Sequence, residues 1–174
     1  MTDLAGGDST WAAAAVGGTW EATHGGQPSS KRSHPLTTLL LLLVFLTLAG
    51  AIASGAMANI VELWLSYNKI GDIGLTALAD AVRSGALGSL FDLQLQGNRI
   101  GDEGMKAFSS AIATGALAKL EELVLTDNAI GDVGMQALAG AVSKGALASL
   151  KDIYLNEHHP ALRAACKTRG VNCC

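Results

Sequence analysis

Leu93-Gln94-Leu95-Gln96-Gly97-Asn98-Arg99-Ile100-Gly101-Asp102 decides the fold of this chain, because the same pattern is written three times. Thirty residues earlier stands Leu63-Trp64-Leu65-Ser66-Tyr67-Asn68-Lys69-Ile70-Gly71-Asp72, and thirty later Leu123-Val124-Leu125-Thr126-Asp127-Asn128-Ala129-Ile130-Gly131-Asp132. A fixed period of this length marks stacked supersecondary units, since one unit cannot bury its apolar face alone. Leucines two apart put both side chains on one face of a short strand, and that face is the predicted core. Asn68, Asn98 and Asn128 recur where the chain leaves the strand. An amide side chain carries donors and an acceptor, so a column of them can satisfy backbone groups left unpaired where coils turn.

Each unit continues with Ile-Gly-Asp, at 70–72, 100–102 and 130–132. An inward apolar residue and a turn glycine are followed by a carboxylate placed to cap the next helix. Helices are predicted over 73–83, 103–113 and 133–143, with Leu78, Val82, Phe108, Ile112, Leu138 and Val142 one turn apart as the buried stripe. Glycines at 74, 104 and 134 and alanines on the same helices keep them thin enough for close stacking. Gly85-Ala86-Leu87, Gly115-Ala116-Leu117 and Gly145-Ala146-Leu147 end each helix on glycine and return the chain to the next strand.

This pattern resembles the leucine-rich repeat family, specifically its ribonuclease-inhibitor-like branch, in which the turn reads Asn-x-Ile-Gly-Asp-x-Gly. The resemblance covers residues 61–150 as three full repeats. It implies an α/β solenoid with a parallel sheet on the concave side, helices on the convex side and partial units at the ends. The unit of thirty is slightly long for the branch, and the extra residues are expected in the Gly-Ala-Leu return loop. Inhibition of a nuclease does not carry over, because it depends on a longer arc.

Residues 151–174 are predicted to close the stack. Ile153 and Leu155 continue the strand, His158 replaces the asparagine, and Pro160 opens a short helix that buries Leu162, Ala165 and Cys166 before Gly170. At the other end, 48–60 align with 78–90 as the back half of an earlier unit whose front half is missing. Residues 1–35 are small and polar and read as disordered. Between them lies an apolar helix, 36–60, whose core is the run Leu39-Leu40-Leu41-Leu42-Leu43-Val44-Phe45-Leu46.

That run is apolar around its whole circumference, and no charge occurs from Leu36 to Val61. Its length exceeds the roughly 20 residues needed to span a bilayer. Single-pass membrane association through 36–56 is therefore favoured as the localisation. Cytoplasmic residence, with the segment as a buried cap, and a secretory signal are the alternatives.

The chain of 174 residues carries a formal net charge of −3, only 5% aromatics and three cysteines, all in the last nine residues. Residues 61–174 hold twelve acidic and ten basic side chains without a basic stripe, so nucleic acid is not an expected partner. No Gly-rich phosphate loop, Gly-x-Ser-x-Gly or His-Glu-x-x-His occurs, and the expectation is a non-enzyme. His158-His159 with Cys166, Cys173 and Cys174 lack zinc-ligand spacing, so no metal or cofactor is expected; the terminal cysteines read as a frayed tail.

A monomeric protein-interaction module remains, with a truncated or decaying repeat protein that has no dedicated partner as the alternative. In the strand register, the protein-binding candidates are Trp64, Ser66, Tyr67, Gln94, Gln96, Val124, Thr126, Asp127, Tyr154 and Asn156, with Gly97 and Glu157 beside them. Trp64, Tyr67 and Tyr154 are the sharpest, because aromatics dominate interface hot spots; packing of Trp64 or Tyr67 on the N-terminal helix is the alternative. Glu62, Asp92, Glu122 and Asp152 form a second column, read either as an acidic tint suited to a basic partner or as charges that keep a sheet edge soluble.

Overall fold

The computed structural model describes residues 10–12, 47, 50, 51, 54, 59–156 and 159–174. Its strands are β1 (Thr10–Ala12), β2 (Glu62–Trp64), β3 (Asp92–Gln94), β4 (Glu122–Val124), β5 (Asp152–Tyr154) and β6 (Asn172–Cys173). They form one parallel sheet in chain order. Between them run α1 (Asp72–Arg83), α2 (Asp102–Ile112), α3 (Asp132–Ser143) and α4 (Pro160–Arg169), each packed on its sequence neighbour. Strands neighbour at about 4.8 Å and helices at about 8–10 Å, so the stack curves with the sheet inside.

The register is that of the repeat. Leu63, Leu93, Leu123, Ile153 and Cys173 stand opposite one another. Leu63, Leu93 and Leu123 are at most 4% exposed, and the second leucines, Leu65, Leu95 and Leu125, lie beneath them at 2% or less. Helix residues Leu78, Val82, Phe108, Ile112, Leu138 and Val142 close the core from the other side. The helices begin within a residue of the positions read from sequence.

Beyond the three-residue strands, coils are held by side chains that bond the backbone of a neighbour. Asn98 is 7% exposed and uses its whole amide. Its Oδ1 accepts from the Asn68 and Ile70 amides at 3.0 and 2.9 Å, and its Nδ2 reaches the Leu65, Leu95 and Gln96 carbonyls. Asn128 repeats this one coil later, accepting from Ile100 N–H and donating to Leu95, Leu125 and Thr126. Among the described residues, the Asn68 side chain donates to the Ser66 carbonyl in its own turn. Position 158, where His replaces the asparagine, lies outside the described residues, as does Glu157.

The aspartates correct their expected role. Gly71, Gly101 and Gly131 occupy the N-cap positions with no side-chain cap, and each aspartate is the first residue of its own helix. From there the carboxylate reaches forward one coil. Asp72 Oδ1 accepts from Gly101 N–H at 2.7 Å, and Asp102 Oδ1 accepts from Gly131 and Gly134 N–H, each at 2.8 Å. Each satisfies orphan donors at the positive end of the next helix. Such an approach requires glycine. A Cβ at Gly104 would lie 2.9 Å from Asp72 Cα, and one at Gly134 would lie 2.8 Å from Ile130 Cγ2.

Both ends depart from expectation. The C-terminal tail is not frayed: Asn172–Cys173 adds a strand, with Cys174 N–H donating to the Ile153 carbonyl and Leu155 N–H to that of Cys174. Pro160 stands at the start of α4 and Gly170 ends it at φ 70°, as read. Arg169 Nη1 donates to the Val142 and Ala146 carbonyls at 2.9 and 3.0 Å, neutralising the negative end of α3. At the other end, Thr10–Ala12 lies within the stretch read as disordered, yet pairs with β2, Trp11 opposite Leu63.

The reading of 36–56 as a membrane span, and of the protein as membrane-associated, is corrected. Among the described residues, no helix is long and apolar enough to cross a membrane. Gly50 and Ala51 are helical, and Ser54 closes that turn by donating Oγ–H to the Ala51 carbonyl at 2.8 Å. Ser84 and Thr114 do the same to Ala81 and Ala111, thirty and sixty residues on. The end of the segment therefore stands in the register of a solenoid helix. The leucine run 39–46 lies outside the described residues.

Because Asn98 makes five hydrogen bonds and Asn68 one among the described residues, truncating them has unequal effects. Asn98→Ala is expected to cost about 2–4 kcal/mol, and Asn68→Ala less than about 1 kcal/mol. Urea unfolding of the two variants measures the difference; equal losses would contradict the inter-coil role of the amide.

Candidate protein-binding face

Alternation along each strand sends the first leucine inward and its two neighbours outward. Glu62, Asp92, Glu122 and Asp152 therefore share one row across the sheet, and Trp64, Gln94, Val124 and Tyr154 the next. Trp64 is 50% exposed and Tyr67 68%. Tyr154 is half-buried, in the same row as Trp64 but three strand spacings away, about 14 Å. Val124 departs from its expected exposure at 6%: a short branched side chain between Gln94 and Tyr154, it is covered by its longer neighbours. It forms a floor and presents no contact surface.

The next row belongs to the turns. Ser66, Gln96 and Thr126 are half-buried. Their carbonyls accept from Asn68, Asn98 and Asn128 Nδ2, and the Gln96 and Thr126 carbonyls also take Tyr67 and Gly97 N–H. Tyr67, Gly97 and Asp127 then hold one conformation, with φ of 59°, 66° and 57°. That left-handed region suits glycine and is tolerated by aspartate, but it strains tyrosine. Gly97 has a second use, since a Cβ there would fall 2.2 Å from Tyr67 Cδ1. The missing side chain is the seat of the Tyr67 ring. Exposed Asp127 and Asn156 are clipped together, Asn156 Nδ2 donating to Asp127 Oδ1 at 2.7 Å and Asp127 N–H to Asn156 Oδ1.

Among the described residues, no cation pairs with the acidic row. Asp92 accepts from Gln94 Nε2 at 3.0 and 3.1 Å, and Asp152 from Asn172 Nδ2 at 2.8 Å. Partial burial pushes the Glu122 carboxyl up from its ordinary range, and the charges of Asp92 and Asp152 in register on either side push it further. Glu122 and then Asp152 raise the Tyr154 phenol in turn.

Chemistry elsewhere is sparse. Among the described residues, no group of histidines, cysteines and carboxylates is arranged to hold a metal. Burial, followed by the adjacent Cys173, pushes the Cys166 thiol up to about 12, which leaves it protonated and unreactive at neutral pH. A cleft of about 380 Å³ opens where the third turn meets the cap, lined by Leu125, Ile130, Met135 and Pro160. His159 Nε2 approaches Asp132 Oδ1 at 3.3 Å there, which continues the forward reach of the aspartate column.

A carboxyl raised on folding binds its proton more tightly in the native state, so Glu122 opposes folding at neutral pH and ceases to do so as pH falls through its folded value. Glu122→Gln is therefore expected to raise the melting temperature at pH 7, with the gain vanishing toward pH 3. Calorimetry across that range checks the sign; a lower melting temperature for the variant at pH 7 would contradict it.

Comparison with known families finds Leucine Rich repeat matches at residues 56–79, 89–109 and 116–139. No curated protein matches the sequence. Each matched stretch carries one of β2, β3 and β4 and runs into the helix that follows. In these three places the chain thus matches leucine-rich repeats, and its parallel strands and alternating helices stack as a solenoid.

Proposed function

We propose that the protein is a non-enzymatic protein-protein interaction module that binds its partner on the concave sheet face. The observation that supports this reading is exposed aromatic surface on the sheet side: Trp64 at 50% and Tyr67, its ring seated on Gly97, at 68% exposure. Large aromatics held on a rigid scaffold lose little entropy on binding and anchor interfaces. Tyr67 does so in a backbone conformation that costs about 1–3 kcal/mol for a non-glycine residue. Tyr154 marks the far side of the face, and Gln94, Gln96, Ser66, Thr126, Asp127 and Asn156 supply a polar surround. The repeated Asn-x-Ile-Gly-Asp-x-Gly turn and the strict alternation of strand and helix support placing these repeats in the ribonuclease-inhibitor-like branch.

The net charge and the acidic row argue against a nucleic-acid partner. A repeat protein with no dedicated partner is the competing reading.

Trp64→Ala and Tyr154→Ala are each expected to weaken partner binding by about tenfold or more, with the circular dichroism spectrum and melting temperature nearly unchanged. Quantitative affinity purification with parent and variant baits checks this. Variants that retain every reproducible partner of the parent would overturn the assignment of the face, and a parent that retains none would favour the competing reading.

A further inference from the structure

The four carboxylates of the sheet face stand side by side in register, whereas elsewhere Asp72 and Asp102 accept from backbone N–H groups, Asp127 accepts from Asn156 Nδ2, and four acidic residues form ion pairs. Asp80 pairs with Arg83, Glu103 with Lys106, Glu121 with Lys151 and Asp132 with His159. Glu62, Asp92, Glu122 and Asp152 enter no ion pair among the described residues. The contrast is sharpest at neighbours Glu121 and Glu122, where the first has a lysine on the next coil and the second has Asp152 opposite it. Like charges opposite one another on paired strands are destabilising, and half-burial weakens their screening. The fold therefore holds four carboxylates in a line, about 4.8 Å apart, with no cation paired to them among the described residues.

We propose that this face takes a cationic helical segment of a partner protein, laid across the strands so that one arginine or lysine per helical turn meets one carboxylate per coil. The proposal rests on the reading of the sheet face as the binding surface and adds the charge and spacing of its occupant. Spacing favours a helix. Residues three and four apart advance about 4.5 and 6 Å along a helix, bracketing the strand spacing, and a stripe of them stays in step over four coils. Same-face residues of an extended chain advance about 6.6 Å or more and fall out of step by roughly 2 Å at each coil. Trp64 and Tyr154 lie beside the two ends of the row, where their ring faces can receive a guanidinium. A helix seated in a groove through one stripe of side chains is an established mode of peptide recognition.

Fluorescence anisotropy with the full-length chain tests this. One labelled 18-residue helical peptide carries four arginines at i, i+4, i+7 and i+11, and the other has the same composition with the arginines spread round the helix. The striped peptide is expected to bind at least tenfold more tightly than its isomer. Asp92→Asn with Glu122→Gln should weaken it at least tenfold, whereas Asp80→Asn with Glu103→Gln, which removes equal charge from the helix side, should change it less than twofold. Equal binding of the two peptides, equal weakening by the two double variants, or no binding of the striped peptide would overturn the proposal. If the aromatic variants lose the natural partner while Asp92→Asn with Glu122→Gln retains it, the face binds a protein of other chemistry and only this inference falls. If neither set loses it, the reading of the face falls as well.

Discussion

A coil of thirty residues with a three-residue strand has too few ladder bonds to define how it sits on its neighbour, and the turn beyond the strand supplies the rest through side chains. Asn98 is the clearest case. One buried amide accepts from two N–H groups of the preceding coil and donates to carbonyls of both coils, so the turns of two units are fixed by one residue. The same direction of reach recurs at Asn128, and the opposite direction at Asp72 and Asp102. The coil of β3 is therefore gripped on its sheet side by the asparagine of the coil after it, Asn128, and on its helix side by the aspartate of the coil before it, Asp72. Hydrophobic burial supplies the driving force, and these polar contacts fix the register in which the leucines meet.

The outward face inherits its order from that register. Because every coil presents its strand at the same height, residues before and after the first leucine line up as rows, and a row of carboxylates follows from repeating an acidic residue at one position. The aromatics do not repeat. Trp64 and Tyr67 belong to one coil and Tyr154 to another three strands away, so the scaffold is periodic while its surface is particular. That combination suits a binding module, in which stacking constrains the interior and leaves the sheet surface free to differ.

Much of this was legible in the residues. The leucine columns, the structural asparagines, the helices and the Pro160 to Gly170 cap follow from local chemistry that each copy states again. What escaped reading depends on relations between copies. An aspartate after Ile-Gly has the same local context whether it caps its own helix or the next, since the residues thirty apart are alike; only the geometry of stacking shows that it reaches forward. Val124 looks exposed by alternation and is buried because Gln94 and Tyr154 flank it. Gly97 looks like an ordinary turn glycine and is also the seat of a ring from the preceding coil. Thr10–Ala12 carries none of the leucine pattern, and a long stretch separates it from the strand it joins, so composition placed it with the polar tail. The apolar run 39–46 favoured a membrane reading of the sequence, whereas Ser54 repeats the helix-end contact of Ser84 and Thr114.

Site-resolved amide hydrogen exchange tests the central claim most directly, because Ile70, Ile100 and Gly101 lie in turns and find their acceptors on side chains of other coils: Asn98, Asn128 and Asp72. The account predicts protection at these three amides comparable with that of the strand amides Leu65 and Leu95. Exchange at the rate of exposed loops, with the strand amides still protected, would show that the ladder alone holds the coils and would contradict it.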